Sequence, residues 1–207
     1  MLVCEITKCK KHLTKLTLDN GQEILLDNDV VIEACVHEDT SLTEQKLNEL
    51  IFESDYRRAK SRALWYLDRA ALTEKALFDK LIKAGFKREA SAAVIARFVE
   101  LGMLDDRRFA FEFAERCAQS NISRREAFHK LCLKGVDREL ANEALDSLET
   151  DEEAQIAELL EKKYRSKILS ENGVQKVYAA LIRKGFSFSA VRNALKKYSE
   201  EIEYCEE

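Results

Sequence analysis

Leu81-Ile82-Lys83-Ala84-Gly85-Phe86 returns fifty residues on as Leu131-Cys132-Leu133-Lys134-Gly135-Val136, and after another fifty as Leu181-Ile182-Arg183-Lys184-Gly185-Phe186. The match extends beyond the hexapeptide. An aromatic stands seven residues before each glycine (Phe78, Phe128, Tyr178), an aliphatic ten after it (Ile95, Leu145, Leu195), and a large apolar residue thirteen after it (Phe98, Leu148, Tyr198). Recurrence at a fixed period of this length marks one supersecondary unit per period. Each hexapeptide reads as a helix end: the glycine takes a left-handed conformation that a Cβ would oppose, and the apolar residue after it folds back onto the last turn.

Working outward from the glycines, each copy divides into three helices. The second helix runs up to the glycine over about 73–84, 123–134 and 172–184, and the third follows it over about 87–101, 137–149 and 187–199. A first helix precedes them over about 56–70, 106–119 and 151–166, the last of these out of step with the other two. Thr73 and Ser123 are N-caps, and Ser123-Arg124-Arg125-Glu126 has capping-box spacing. Leu101-Gly102-Met103-Leu104-Asp105-Asp106 is a tight joint in which Gly102 ends one helix and an aspartate starts the next. Helices this short are marginal alone, so the copies must bury their apolar stripes together. Short joints imply stacking into an elongated curved array.

Upstream of the repeats the period changes from 3.6 to 2. Leu2 to Thr7, His12 to Leu18 (through Leu13, Leu16 and Leu18) and Gln22 to Leu26 read as strands, with Asp19-Asn20-Gly21 as a type I′ hairpin turn. Asp27-Asn28-Asp29 caps a short helix near 29–36, although Val30-Val31-Ile32 leaves a strand open, and Thr43 caps a helix near 43–54. The expected fold is mainly α: three tandem three-helix repeats preceded by a small antiparallel sheet and one or two short helices. The expected segments are 1–56, repeats at 57–104, 105–149 and 150–199, and an acidic tail at 200–207.

Composition agrees with a folded helical chain. Its 207 residues include no proline and six glycines, 46% are hydrophobic and 35% charged, and the mean hydropathy is −0.35. No apolar run approaches the roughly 18 residues that span a bilayer, and the first residues lack the order of a signal peptide, so a cytoplasmic protein is expected. Cys4, Cys9, Cys35, Cys117, Cys132 and Cys205 form no C-x-x-C pair and read as reduced thiols, with Cys117 and Cys132 acting as small hydrophobes in helices. His12, His37 and His129 are scattered, so no metal site is expected.

Nothing in the chain proposes catalysis or a cofactor. Asp105-Asp106 is the best carboxylate pair, but acidic residues at a helix start are explained by the dipole and the free N–H groups. Asp27-Asn28-Asp29 lacks the rest of a calcium loop, and no phosphate-binding glycine motif occurs. Charge is the informative property: residues 1–56 carry −7, 57–198 carry +8 and 199–207 carry −5. Within the basic middle the candidate partner-binding residues are Arg57-Arg58 (with Lys60 and Arg62), Lys87-Arg88, Arg107-Arg108, Arg124-Arg125, and Lys162-Lys163 with Arg165 and Lys167. Charge runs on helices are usually solvated faces, but four of these clusters fall at expected helix starts, where a cation opposes the macrodipole and so has a stronger claim to a partner-facing role. Trp65 and Tyr66, beside Leu64 and Leu67, read as core packing ahead of the alternative, base stacking, and Glu200 to Glu207 reads as a mobile solubilising end.

These residues also resemble a known family. Tyr66-Leu67-Asp68-Arg69, the joint Gly102-Met103-Leu104-Asp105-Asp106-Arg107-Arg108-Phe109-Ala110, and the glycine corners ending in Phe86, Val136 and Phe186 are similar to the RecX family of bacterial RecA regulators over about 57–198. The resemblance implies a non-enzymatic regulator, without cofactor, that binds the RecA filament on single-stranded DNA. It would modulate, most often inhibit, recombinase, ATPase and co-protease activity in DNA repair, recombination and the SOS response. A monomer with a weak direct DNA contact is expected. The alternative is a helical-repeat module that binds nucleic acid directly, with no recombinase target.

Overall fold

The computed structural model describes residues 1–10 and 12–205, with side chains through Glu200. The chain divides into two compact units, 1–105 and 106–207. The first opens with three strands, β1 (Val3–Cys9), β2 (Leu13–Leu18) and β3 (Glu23–Asp27), paired antiparallel in that order. Strand alternation sends Thr14, Leu16 and Leu18 inward from β2, and Ile24 and Leu26 from β3. Leu13, expected on the inner row, has the wrong parity and is half-buried; Thr14 takes its place and donates from its hydroxyl to Asn28 Oδ1 at 2.6 Å. The Asn-Gly turn also differs from expectation. Gly21 has φ +79° whereas Asn20 does not reach positive φ, and Gly21 N–H bonds Leu18 O at 2.9 Å, as does Leu18 N–H to Gln22 O. This is a longer loop with glycine in the left-handed position rather than a two-residue type I′ turn.

Helix α1 (Asn28–Glu33) is capped by Asp27, whose carboxylate accepts from Asp29 N–H. Helix α2 (Glu44–Leu67) replaces the two helices expected on either side of residue 55 with a single 24-residue element. Its first half lays Leu47 and Leu50 on the sheet core, and its second half carries Ala59 and Ala63 into the first helical repeat. Ser54, at the crossover, is buried and its hydroxyl accepts from Asp27 N–H at 2.8 Å. Helices α3 (Glu74–Lys83) and α4 (Arg88–Glu100) complete that repeat around Leu77, Leu81, Val94 and Phe98.

The second unit holds α5 (Asp106–Gln119), α6 (Arg124–Leu133) and α7 (Arg138–Asp146), then α8 (Glu152–Leu159), a π-helical turn (Leu160–Tyr164), α9 (Arg165–Ile168), α10 (Gly173–Arg183) and α11 (Phe188–Cys205). The π turn puts the first helix of the third copy out of step: Leu160 and Tyr164 are buried at the positions matching Ala110 and Ala114, but one turn is widened by a residue, so Ile168 rather than Lys167 is buried where Cys117 is in the second copy. Helix α11 extends past its expected end at 199 to Cys205, so the acidic run begins on a helix; Glu206 and Glu207, and the side chains from residue 201, lie outside the described residues.

The glycine corners form as the sequence requires. Gly85, Gly135 and Gly185 have φ of +91°, +95° and +93°. In each, the glycine N–H bonds the carbonyl three residues back and the following N–H bonds the one five back, as with Gly85 to Ile82 at 3.0 Å and Phe86 to Leu81 at 3.2 Å. Gly102 closes α4 in the same way. The cores trade volume between helices: where copy one has Leu77 and Val94, copy two has Ala127 and Ala144, and copy two recovers bulk at Phe109 on α5, whose matched position in copy one is Ala59.

Candidate interaction site

The basic residues singled out by charge are displayed at the surface, and many are already paired. Arg57 grips Glu33 with both terminal nitrogens (2.8 and 2.5 Å) and Glu53 through Nε at 2.7 Å, fastening α1 to α2. Those bonds hold the guanidinium well above its ordinary pKa and Glu33 below the usual carboxylate range. Arg107 makes the same two-pronged contact with Glu143 (2.8 and 2.5 Å), joining α5 to α7, and lies over the Phe111 ring. Arg124 reaches Asp146 at 2.9 Å, again on α7. Lys162 bonds Glu158 and Arg165 bonds Glu161 at 2.7 Å, one turn back in each case.

The rest are held more loosely. Arg58 lies 3.6 Å from Asp55 and packs over Phe86; Arg88 lies over Phe78; Arg108 is 3.9 Å from Glu112. Lys87 is the N-cap of α4 and makes no side-chain capping bond, and Lys87, Arg125 and Lys163 are exposed. Lys87-Arg88, Arg107-Arg108 and Arg124-Arg125 do occupy helix starts. Arg57-Arg58 does not: with α2 running from Glu44, the pair sits mid-helix, and the dipole argument fails there. Asp105 precedes α5 and Asp106 opens it.

One group was misread from sequence. Trp65 is not core: it is 45% exposed, as Leu64 is at 41%, while Tyr66 and Leu67 turn toward the interior. Ala59 and Ala63 fix the inward face of α2, and positions 64 and 65 rotate off it by one and two steps of about 100°. Two cations instead lie over the indole. Arg69 Cζ stands 3.7 Å from the ring centroid and Arg62 Cζ 5.5 Å. The spacing Arg58, Arg62, Trp65, Arg69 is a helical face and was readable as one.

The fold and its surfaces define a class: a tandem three-helix-repeat protein whose distinguishing features are displayed side chains. Comparison with known proteins shows what the chain is similar to. The models "RecX, first three-helix domain" and "RecX, third three-helix domain" match residues 59–98 and 151–195. The "Regulatory protein RecX" of Streptococcus sanguinis (strain SK36) is 29% identical over 200 residues, 94% of this chain and 76% of that protein. That of Caldanaerobacter subterraneus subsp. tengcongensis is 28% identical over 198 residues, 94% of this chain and 98% of the relative. Two crystal structures share the fold: one of regulatory protein RecX (TM-score 0.65, 22% identity, 95% of this chain, 98% of that one) and one of RecX from Lactobacillus salivarius (TM-score 0.59, 22% identity, 69% and 96%). The chain is thus similar, in two of its three-helix units and along most of its length, to regulatory proteins of the RecX family.

Proposed function

We propose that this chain is a non-enzymatic regulator that binds the RecA filament on single-stranded DNA and inhibits its recombinase, ATPase and co-protease activities in recombination and the SOS response. It acts as a monomer in the cytoplasm, and the repeats at 57–104, 105–149 and 150–199, between the segment 1–56 and the tail 200–207, are its contact modules. Kinship with regulatory RecX proteins supports this reading. The observation that carries it is the placement of Lys87-Arg88, Arg107-Arg108 and Arg124-Arg125 at helix starts. Cations there are disfavoured by the dipole and suited to charge-assisted bonds with an anionic partner.

The test compares binding to bare single-stranded DNA with binding to RecA-coated DNA at two salt concentrations, with ATP hydrolysis measured in parallel. Tighter binding to the filament with slowed hydrolysis is expected; binding no tighter to the filament than to bare DNA overturns the proposal in favour of a plain nucleic-acid-binding module. Arg125→Glu is the cleaner site variant, because Arg124 also holds Asp146 within the fold. It should weaken inhibition at unchanged thermal stability.

A further inference from the structure

A cleft of about 390 Å³ lies within the first unit between the start of β2 and the second half of α2. Its chemistry is narrow. Arg58, Arg62, Ser61 and His12 bring donors to it, and Trp65 and Phe86 bring aromatic rings. Arg58 rests over Phe86 at 5.8 Å, and Arg62 over Trp65 at 5.5 Å, so each ring comes with its own cation. The indole is held in position: Tyr66 meets it edge-on (centroids 5.3 Å apart, 75°), and Arg69 stacks on it while donating to the Trp65 carbonyl at 2.9 Å. Three acids are near. Asp27 lines the cleft but caps α1 through Asp29 N–H at 3.0 Å, and Asp55 and Asp68 stand 3.6 and 3.8 Å from Arg58 and Arg69, outside hydrogen-bond distance.

We propose that this cleft binds single-stranded nucleic acid, with a base stacked on the Trp65 indole and the flanking phosphates taken by Arg58 and Arg62. An acidic peptide would satisfy the arginines and leave an exposed indole in water; a nucleotide engages both, since every base has a π-face and every link a phosphate. Arg58 and Trp65 are seven residues apart on one helix face, about 10 Å along its axis, which suits a strand laid along α2. The cleft falls in the size range of small-ligand pockets, about 300–1,000 Å³, and takes a base but not a duplex.

Trp65 is the chain's one tryptophan, so intrinsic fluorescence reports on the site directly. The full chain is titrated with an oligothymidylate of roughly 15 nucleotides at low salt, with polyglutamate as the competing probe. Saturable quenching by the oligonucleotide is expected, with Trp65→Ala lowering affinity about tenfold by anisotropy of a labelled strand. Arg62→Ala retains the fluorophore and should lower the salt slope by about one; circular dichroism of both variants verifies the fold. Oligonucleotide binding that leaves the fluorescence unchanged, quenching by polyglutamate alone, or no binding to the oligonucleotide each overturns the proposal. Since the measurement uses no RecA, its failure leaves the filament reading standing, and loss of filament inhibition leaves this site standing.

Discussion

The Ser123 hydroxyl donates to the Lys184 carbonyl at 2.5 Å while accepting from Glu126 N–H at 3.2 Å. One fully buried side chain thus caps α6 at the second copy and ties down the end of α10 at the third. Ser123→Ala removes both bonds and leaves a donor and an acceptor without their partner. We expect a loss of about 1–3 kcal/mol in denaturant unfolding. A loss below about 0.5 kcal/mol would show that the Lys184 bond adds nothing to an ordinary cap.

The same corner ranks the glycines. A Cβ on Gly85 meets nothing within 4 Å, whereas one on Gly185 would lie 2.9 Å from Ser123 Oγ and 3.0 Å from Arg125 Cβ. Gly85→Ala should cost about 1–2 kcal/mol for the left-handed backbone alone, and Gly185→Ala distinctly more. Gly173→Ala should be the most damaging, since its Cβ would stand 2.0 Å from the Lys167 carbonyl oxygen. Thermal melts of the three variants test the order.

Ser91 offers a gain. Its hydroxyl is wholly buried and has no hydrogen-bond partner among the described residues, and the matched positions in the other copies are Ala141 and Val191, both buried. Ser91→Ala should raise stability by up to about 1 kcal/mol, because it removes a desolvated polar group at almost no cost in volume. A loss exceeding that amount would mean the hydroxyl has a partner in solution.

Acid should loosen the fold through its ion pairs. Glu33, Glu143, Glu153 and Glu158 are held below the ordinary carboxylate value, chiefly by hydrogen bonds from Arg57, Arg107, Lys197 and Lys162 respectively. A lowered folded-state value means that their contribution is complete above the unfolded value of about 4.3 and is lost as pH falls through the folded one. Thermal midpoints should therefore drop below about pH 5, and the drop should shrink in Glu143→Gln and in high salt, because these carboxylates are solvent-exposed. Lys15 and Lys197 are shifted upward by Glu23 and Glu153, so their share persists through neutral pH and goes only above about 10.4.

Much of the fold was readable because its signals are local. The glycine corners, the caps at Thr73 and Ser123 and the strand alternation each depend on residues within a few positions of one another. What escaped depends on distant ones. Ser54 is an ordinary polar residue until Asp27 N–H reaches it from the end of β3, so nothing local announces that α2 continues through residue 55. The inward row of β2 passes through Thr14 because Asn28 receives its hydroxyl. At the surface, the basic pairs were plain from charge alone, but Glu33, Glu143 and Asp146, which engage Arg57, Arg107 and Arg124, lie 24, 36 and 22 residues away on other helices. Trp65 was misjudged because a tryptophan beside leucines suggests a core; only the Ala59 and Ala63 row shows which way α2 faces.

Because α2 serves the sheet with Leu47 and Leu50 and the first repeat with Ala59 and Ala63, no cut between residues 56 and 57 yields two intact pieces. A shortened chain beginning there would start mid-helix with its Thr43 cap gone, and the discarded fragment would keep a sheet with its cover torn along one seam. Anyone dissecting this protein by deletion must carry the appendage and the first repeat as one indivisible cassette, joined by a shared spine.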